Sequence, residues 1–351
     1  MALTPPLLGV GARERGTPEA GAPERRSLGA ATPVDLAVVI VSYQCRDLVV
    51  ACVERLASIG ADCRVEVVVV DNGSTDGTAA ALEGRCRVIP LGYNSGFSTA
   101  NNVGFAATDS RHVLVLNPDT LVDRGALDAL VAFLDSHPNA GVVAPDLVNP
   151  DGSDQRTARA FPSPTVALFG RRSPLSRWFP NNRFSKRYLV VPGRRCDQPF
   201  RADWVSGAAM ALRRAAIDAS GCFDVDFFMF WEDADWCHRL ADAGSAVWCE
   251  PAARGVHAEG GTRAKGYPPR LNRAFHTGAY LYWRNHHAPQ PWNPLRWLAA
   301  AALGGRAAAL MSIDGIKRRR TAPSMDTTPQ ETNSEHPWPP SGAGARQKAG
   351  E

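Results

Sequence analysis

The sequence lacks most of the signatures that assign a class at a glance. Its eight cysteines, Cys45, Cys52, Cys63, Cys86, Cys196, Cys222, Cys237 and Cys249, form no C-x-x-C pair, which argues against a zinc knuckle. Several sit in apolar or helical stretches, as buried reduced thiols do, so a reducing cytosol is expected. No apolar h-region precedes Thr32, so no signal peptide is expected. No G-x-G-x-x-G follows the first strand-like run, which disfavours a dinucleotide-dependent dehydrogenase. No G-x-x-x-x-G-K-[ST] occurs, which excludes a P-loop enzyme. The net charge is only +4 and no basic stripe is interleaved with aromatics, so no nucleic acid is expected as a partner. Trp292 to Ile313 is rich in Ala and Leu but broken by Arg296 and Arg306, too short and too charged for a membrane-spanning helix.

What is present reads as globular: 44% of residues are hydrophobic and 21% charged. Residues 1–33 and 321–351 are rich in Gly, Pro and charge and read as a disordered arm and tail. Between them the hydrophobic pattern alternates. Leu36 to Ser42 and Val65 to Val70 are continuous β-branched runs, as in strands buried on both faces. Arg46 to Ser58, Phe97 to Ala107 and Asp123 to Ser136 have helical spacing. Shorter strands are predicted at Arg87 to Pro90, His112 to Leu116 and Gly141 to Ala144. This β-α-β-α order implies an α/β fold with a mostly parallel, Rossmann-like sheet flanked by helices. Residues 147–200 break the pattern. It returns with an element at Trp204 to Leu212, helices at Arg214 to Ser220 and Asp233 to Ala243, and a last strand at Ala246 to Cys249. One domain is expected over residues 34–290, in two halves, 34–145 and 146–290. Residues 291–320 form a C-terminal amphipathic helical segment, with Trp292 and Trp297 at one end and Lys317 to Arg320 at the other. It reads as an interfacial anchor or as an ordinary docking helix.

In a parallel sheet, ligands bind beyond the carboxyl ends of strands, and the chemically able residues lie there. Asp71 ends a strand, where an acid can hold a ribose hydroxyl or a base edge, or simply cap a turn. Asn117-Pro118-Asp119 follows His112 to Leu116; its carboxylate could bind Mg²⁺ or Mn²⁺, or the tripeptide is a plain turn. Glu232-Asp233-Ala234-Asp235 enters a helix behind the aromatic run Phe227 to Trp231. There burial and like charge would raise a carboxylate toward general-base range. Asp235 is assigned instead to an i,i+4 pair with Arg239. His257, ahead of Gly260 and Gly261, is a candidate metal ligand or phosphate partner.

Taken in order, these segments resemble the family 2 glycosyltransferases of the GT-A fold. The matching stretches are Val38 to Tyr43, Val69 to Gly77, Asn94 to Phe97 with Asn101 to Gly104, and Leu116 to Asp119. They continue with Val205 to Met210, Phe228 to Asp235, and His257 with Gly260 to Arg263. Within the family the chain looks most like bacterial rhamnosyltransferases of cell-wall or surface polysaccharide synthesis. The resemblance implies an inverting transfer from a nucleotide-diphosphate sugar, with dTDP-rhamnose as the expected donor. A glycan or polyprenyl-diphosphate-linked molecule is the expected acceptor. It implies Ser42, Tyr43 and Asp71 on the base and ribose, with Asn94, Gly96 and Asn117 also on the nucleotide sugar. Asn117 stands where the family's D-x-D motif has its first acid, so Asp119 with His257 would hold Mg²⁺ or Mn²⁺. Asp233 would be the base, Glu232 would orient the acceptor, and Ser206 and Gly207 would line the acceptor side. The expected location is the cytoplasmic face of the plasma membrane, as a peripheral protein. The competing reading is a degenerate nucleotide-sugar-binding protein without transferase activity.

Overall fold

A computed structural model describes residues 34–162, 197–258 and 269–321, with side chains as far as residue 312. The expected arm (1–33), most of the tail (321–351) and the Gly260 to Arg263 stretch lie outside the described residues. So do the side chains of Lys317 to Arg320.

The first strands follow from their apolar runs. β1 (Val34–Ser42) lies between β2 (Val65–Asp71) and β4 (Ser110–Leu116), parallel to both, and β3 (Arg87–Pro90) extends the sheet beyond β2. Side chains alternate between faces, as the period of two requires. Leu36, Val38 and Ile40 enter one apolar cluster and Val39 enters the other. Leu114 and Leu116 of β4 share the first cluster, while Val113 and Val115 share the second.

Helices cover both faces. α1 (Arg46–Ile59) buries Leu48, Val49, Cys52, Val53, Leu56 and Ile59 in one stripe, and α4 (Ala126–Ser136) buries Leu127, Leu130, Val131 and Leu134. Each such Leu or Val contributes roughly 1.5–3 kcal/mol on leaving water. Between these helices come the short α2 (Thr78–Ala81) and α3 (Phe97–Ala106). α3 packs on the opposite face with α5 (Arg214–Ser220) and α6 (Glu232–Asp242). α4 starts at Ala126 and not at Asp123. The Asp123 amide instead donates to the Arg254 carbonyl (2.8 Å), and Gly125 precedes the helix with φ of 80°.

Beyond β4 the sheet becomes mixed. β10 (Ala209–Arg213) runs antiparallel to both β4 and β6 (Ala140–Val148). β11 (Ala246–His257) is parallel to β6 but antiparallel to β5 (Thr120–Val122) and β8 (Phe200–Ala202). β11 runs past Cys249, where the apolar pattern stops, through a register shift between Glu250 and Arg254, and ends on His257. A small second sheet pairs β7 (Ala158–Arg159) with β9 (Trp204–Val205). α7 (Pro269–His286), which the apolar spacing does not indicate, packs beside α8 (Pro294–Thr321). No helix among the described residues is long and apolar enough to cross a membrane.

Candidate active site

The loops after β1 and β2 are tied to each other. Ser42 and Asp71 are register partners at the ends of their strands, and both are buried. Asp71 Oδ1 accepts from the Ser74 amide (3.1 Å), the turn-capping role open to it from sequence. Gln44, at φ 53°, donates its backbone amide to Ser74 Oγ (3.1 Å) and its Nε2 to Thr75 Oγ1 (3.0 Å). The Arg46 amide donates to Asp76 Oδ2 (2.9 Å). Burial works to raise the Asp76 carboxyl, but the Thr78 hydroxyl and the Arg46 and Thr78 amides outweigh it and hold it below the ordinary range. Tyr43 stands between these ties with 42% of its surface exposed.

A second brace centres on Asn72, which is 3% exposed. Its Oδ1 accepts from the Ser95 amide (2.8 Å) and hydroxyl (2.9 Å), and its Nδ2 donates to Asn94 Oδ1 and to the Gly96 carbonyl, each at 3.2 Å. Asn94 Oδ1 also accepts from the Gly96 amide (3.1 Å). Gly96 has φ 91°, and a Cβ there would lie 2.6 Å from the Phe228 carbonyl oxygen. That carbonyl accepts from the Phe97 amide (2.7 Å). Asn94, expected on the nucleotide sugar, thus ties the loop after β3 to the loop after β2, and Gly96, expected there too, abuts the loop before α6.

The region after β4 brings the metal candidates together. Asp119 (3% exposed) directly precedes β5 and His257 (8% exposed) ends β11, and these strands pair Thr120 with His257. Asp119 Oδ1 lies 3.2 Å from His257 Nε2, and the Ala258 amide donates to the Asp119 carbonyl (2.9 Å). A carboxylate oxygen and a ring nitrogen this close require a proton or a cation between them. Neighbouring ligands on an octahedral ion bound at about 2.1 Å stand about 3 Å apart, so this oxygen–nitrogen pair fits Mg²⁺ or Mn²⁺. Asn117 donates its amide to the Ala208 carbonyl (2.9 Å), which also accepts from Thr120 Oγ1 (3.2 Å).

One residue before Ala208, the Gly207 amide donates to Asp233 Oδ2 (3.0 Å). Asp233 Oδ1 accepts from the Ala234 amide (2.8 Å). Asp233 and the residues that bracket Asp119 (Asn117 and Thr120) are therefore hydrogen-bonded to adjacent residues, Gly207 and Ala208. Asp233 is half-buried; burial raises its carboxyl above the ordinary range, against the two amides and the charge of Arg159. Glu232 is buried, and burial followed by the charge of Asp233 pushes its carboxyl well above the ordinary range. Its Oε2 has no hydrogen-bond partner among the described residues. Phe230 and Trp231, just before it, both have left-handed backbones, at φ 73° and 76°. Ser206 donates its amide to the Thr157 carbonyl (3.1 Å). A Cβ on Gly207 would make ordinary contact with Phe97 and Asp233, so sterics there do not require glycine.

Asp235 faces away from this cleft, as its helical spacing predicts: Oδ2 pairs with Arg239 Nε (2.9 Å) and Oδ1 with His286 Nε2 (2.8 Å). Near it, His238, Asp242 and His286 bring metal-binding atom types together. The two imidazoles are stacked at 4.0 Å and 24°, so their in-plane lone pairs run side by side and cannot meet on one ion. Four contributors to the main site escape the sequence: Asn72, Phe228, Arg159 and Gln155. Asn72 and Phe228 lie inside recognised motifs. Arg159 and Gln155 fall in the stretch without periodicity, where no local signal marks them.

Comparison with known proteins gives a consistent result. A family model described as "Glycosyl transferase family 2" matches residues 37–194. An N-acetylglucosaminyl-diphospho-decaprenol L-rhamnosyltransferase of Mycobacterium tuberculosis is 31% identical over 277 residues, covering 75% of this chain and 88% of that protein. A low-salt glycan biosynthesis hexosyltransferase, Agl10, of Haloferax volcanii is 26% identical over 58% of this chain and 61% of its own length. Among solved structures, GalNAc-T7 with UDP, GalNAc and Mn²⁺ aligns with a TM-score of 0.49 at 14% identity, over 78% of this chain and 55% of that one.

Proposed function

The chain belongs to glycosyltransferase family 2 and is a glycosyltransferase, and from that premise we propose that it moves L-rhamnose, with inversion, from dTDP-L-rhamnose to a polyprenyl-diphosphate-linked sugar in cell-wall or surface polysaccharide synthesis. The observation that carries this reading is that Asp233 and the segment bearing Asp119 are tied to neighbouring residues: Gly207 donates to Asp233, and the Ala208 carbonyl accepts from Asn117 and Thr120, which bracket Asp119. Asp119 and His257 face a site for the leaving diphosphate, and Asp233 faces the incoming hydroxyl. The rhamnosyl donor and lipid-linked acceptor follow the relative of 31% identity.

The chain's own groups divide the work. Ser42, Tyr43 and Asp71 stand at the strand ends where a nucleoside would lie, with Asn94, Gly96 and Asn117 beyond them. Asp119 and His257 would hold a divalent cation, which when bound would supply positive charge to the departing diphosphate. Asp233 takes the proton of the acceptor hydroxyl. Each of its oxygens accepts one amide hydrogen, which fixes the carboxylate and leaves further lone pairs free. Its raised affinity for protons suits that task. Glu232 backs Asp233 in the interior, and Ser206 and Gly207 border the acceptor side. Direct displacement opposite the leaving group inverts the anomeric centre.

The acceptor's lipid implies work at a membrane surface, and the C-terminal segment has the character for it. Trp292, Trp297 and Leu298 are 81%, 68% and 65% exposed, and the sequence of α8 carries Lys317 to Arg320 just before its end at Thr321. The test is transfer from dTDP-L-rhamnose to polyprenyl-diphosphate N-acetylglucosamine in anionic vesicles. The expected result is an anomer-inverted product and co-sedimentation with the vesicles, both reduced when Trp292 and Trp297 become Ser. Nucleotide binding without transfer to any acceptor would instead identify a degenerate binding protein.

A further inference from the structure

One buried side chain behind the cleft has no part in that scheme. Gln155 is 7% exposed, although it lies in a stretch with little regular structure. It is fixed on both sides: its amide donates to the Leu147 carbonyl (3.2 Å), and two residues on the Thr157 carbonyl accepts the Ser206 amide (3.1 Å). Its carboxamide closes on His257, 102 residues away in sequence. Nε2 donates to the His257 carbonyl and to Asn149 Oδ1, each at 3.2 Å. An oxygen in that place would face two oxygens, so the amide orientation is settled by its neighbours. Oε1 is then the atom 2.8 Å from His257 Nδ1. It can only accept, so Nδ1 carries the hydrogen. The remaining lone pair of the neutral ring is on Nε2, the atom 3.2 Å from Asp119 Oδ1.

We propose that Gln155 is a positioning residue that fixes the tautomer and ring orientation of His257, so that Nε2 meets a divalent cation beside Asp119. This rests on the reading of Asp119 and His257 as the metal-holding pair. Histidine ligands commonly donate their second N–H to a neighbouring acceptor, and removing that acceptor weakens metal binding by roughly 10–100-fold. Gln155 supplies that acceptor and also holds the backbone of the residue it orients.

The test is Mn²⁺ titration of the full chain, read by loss of the free-ion EPR signal, for wild type, Gln155→Leu and His257→Ala. Leu keeps the volume and removes both polar atoms. The expected result is loss of binding in His257→Ala and an affinity about 10–100-fold weaker in Gln155→Leu. The metal-free melting temperature should stay near wild type, and excess Mn²⁺ should restore turnover, as damage to the fold would not allow. Wild-type affinity in Gln155→Leu, with binding lost in His257→Ala, overturns the role of Gln155 alone. Wild-type affinity in His257→Ala overturns the metal reading and the inference with it. Should Gln155→Leu not fold, ¹⁵N-histidine spectra of the wild type saturated with diamagnetic Mg²⁺ decide the matter. An Nδ1–H tautomer at His257 is expected, and an Nε2–H tautomer contradicts the proposal.

Discussion

The loops that follow β1, β2 and β3 and the loop that leads into α6 meet at Gly96, yet they are held in opposite ways. On the first side the buried Asn72 finds a partner for both ends of its amide, and Gln44, Asp71 and Asp76 are each tied to a neighbouring loop or turn. On the other side Phe230 and Trp231 sit in left-handed conformations that cost roughly 1–3 kcal/mol each. The next residue is a buried carboxyl with one oxygen unpartnered among the described residues. The first arrangement suits a site that receives a rigid ligand, because its shape is set beforehand. The second stores strain and holds carboxyls away from water beside the group proposed to take a proton. Strain of this kind persists only where surrounding structure imposes it.

The largest break in this contrast should come from Asp233→Asn. Turnover should fall by roughly 10²–10⁴-fold, while nucleotide affinity stays at the wild-type level. Isothermal titration beside steady-state kinetics checks both, and near-wild-type turnover would remove Asp233 as the base. Next is Gly278 of α7, where a Cβ would lie 2.6 Å from the Phe230 carbonyl oxygen. Gly278→Ala should displace the strained turn and lower kcat by up to about 10²-fold, leaving nucleotide affinity intact. An equal loss of nucleotide binding would show that the two sides are not separately held.

The smallest effect concerns Glu232. Its carboxyl is raised in the folded chain by burial and by Asp233, so the folded state keeps a proton that the unfolded chain releases. The stability this gives is complete below the ordinary glutamate range and is lost as pH rises toward the raised value. Glu232→Gln lacks this titration. Denaturant unfolding should therefore show the variant gaining on wild type as pH rises from the ordinary glutamate range. A difference independent of pH would show that Glu232 titrates as an ordinary glutamate.

The division between the two sides also explains what was legible in the sequence. β1, β2, β4, α1 and α4 follow from apolar periodicity because each is packed against the core along its length. The turns bearing Asp71, Asn117 and Asp119 follow because strand ends in an α/β sheet can be located once the strands are. The mixed half was harder to read. The antiparallel setting of β10 depends on partners far away in sequence, which no local pattern records. α7 is obscured because its buried face includes Asn272, His276 and Gly278 beside its apolar residues. The reach of β11 to His257 depends on the irregularity between Glu250 and Arg254, past the point where Cys249 ends the apolar run. Gln155 was out of reach for the same reason, since its meaning comes from the residue that this irregularity brings against it.

The most direct test of a metal-holding pair and a separate base is thermal unfolding of wild type, Asp119→Asn and Asp233→Asn with dTDP, UDP or GDP, each with and without Mn²⁺. A ligand that binds the folded state raises the melting temperature by mass action. The account predicts a Mn²⁺-dependent rise with dTDP in wild type and in Asp233→Asn, and its loss in Asp119→Asn. An undiminished rise in Asp119→Asn, or no rise in wild type with any nucleotide, would contradict it.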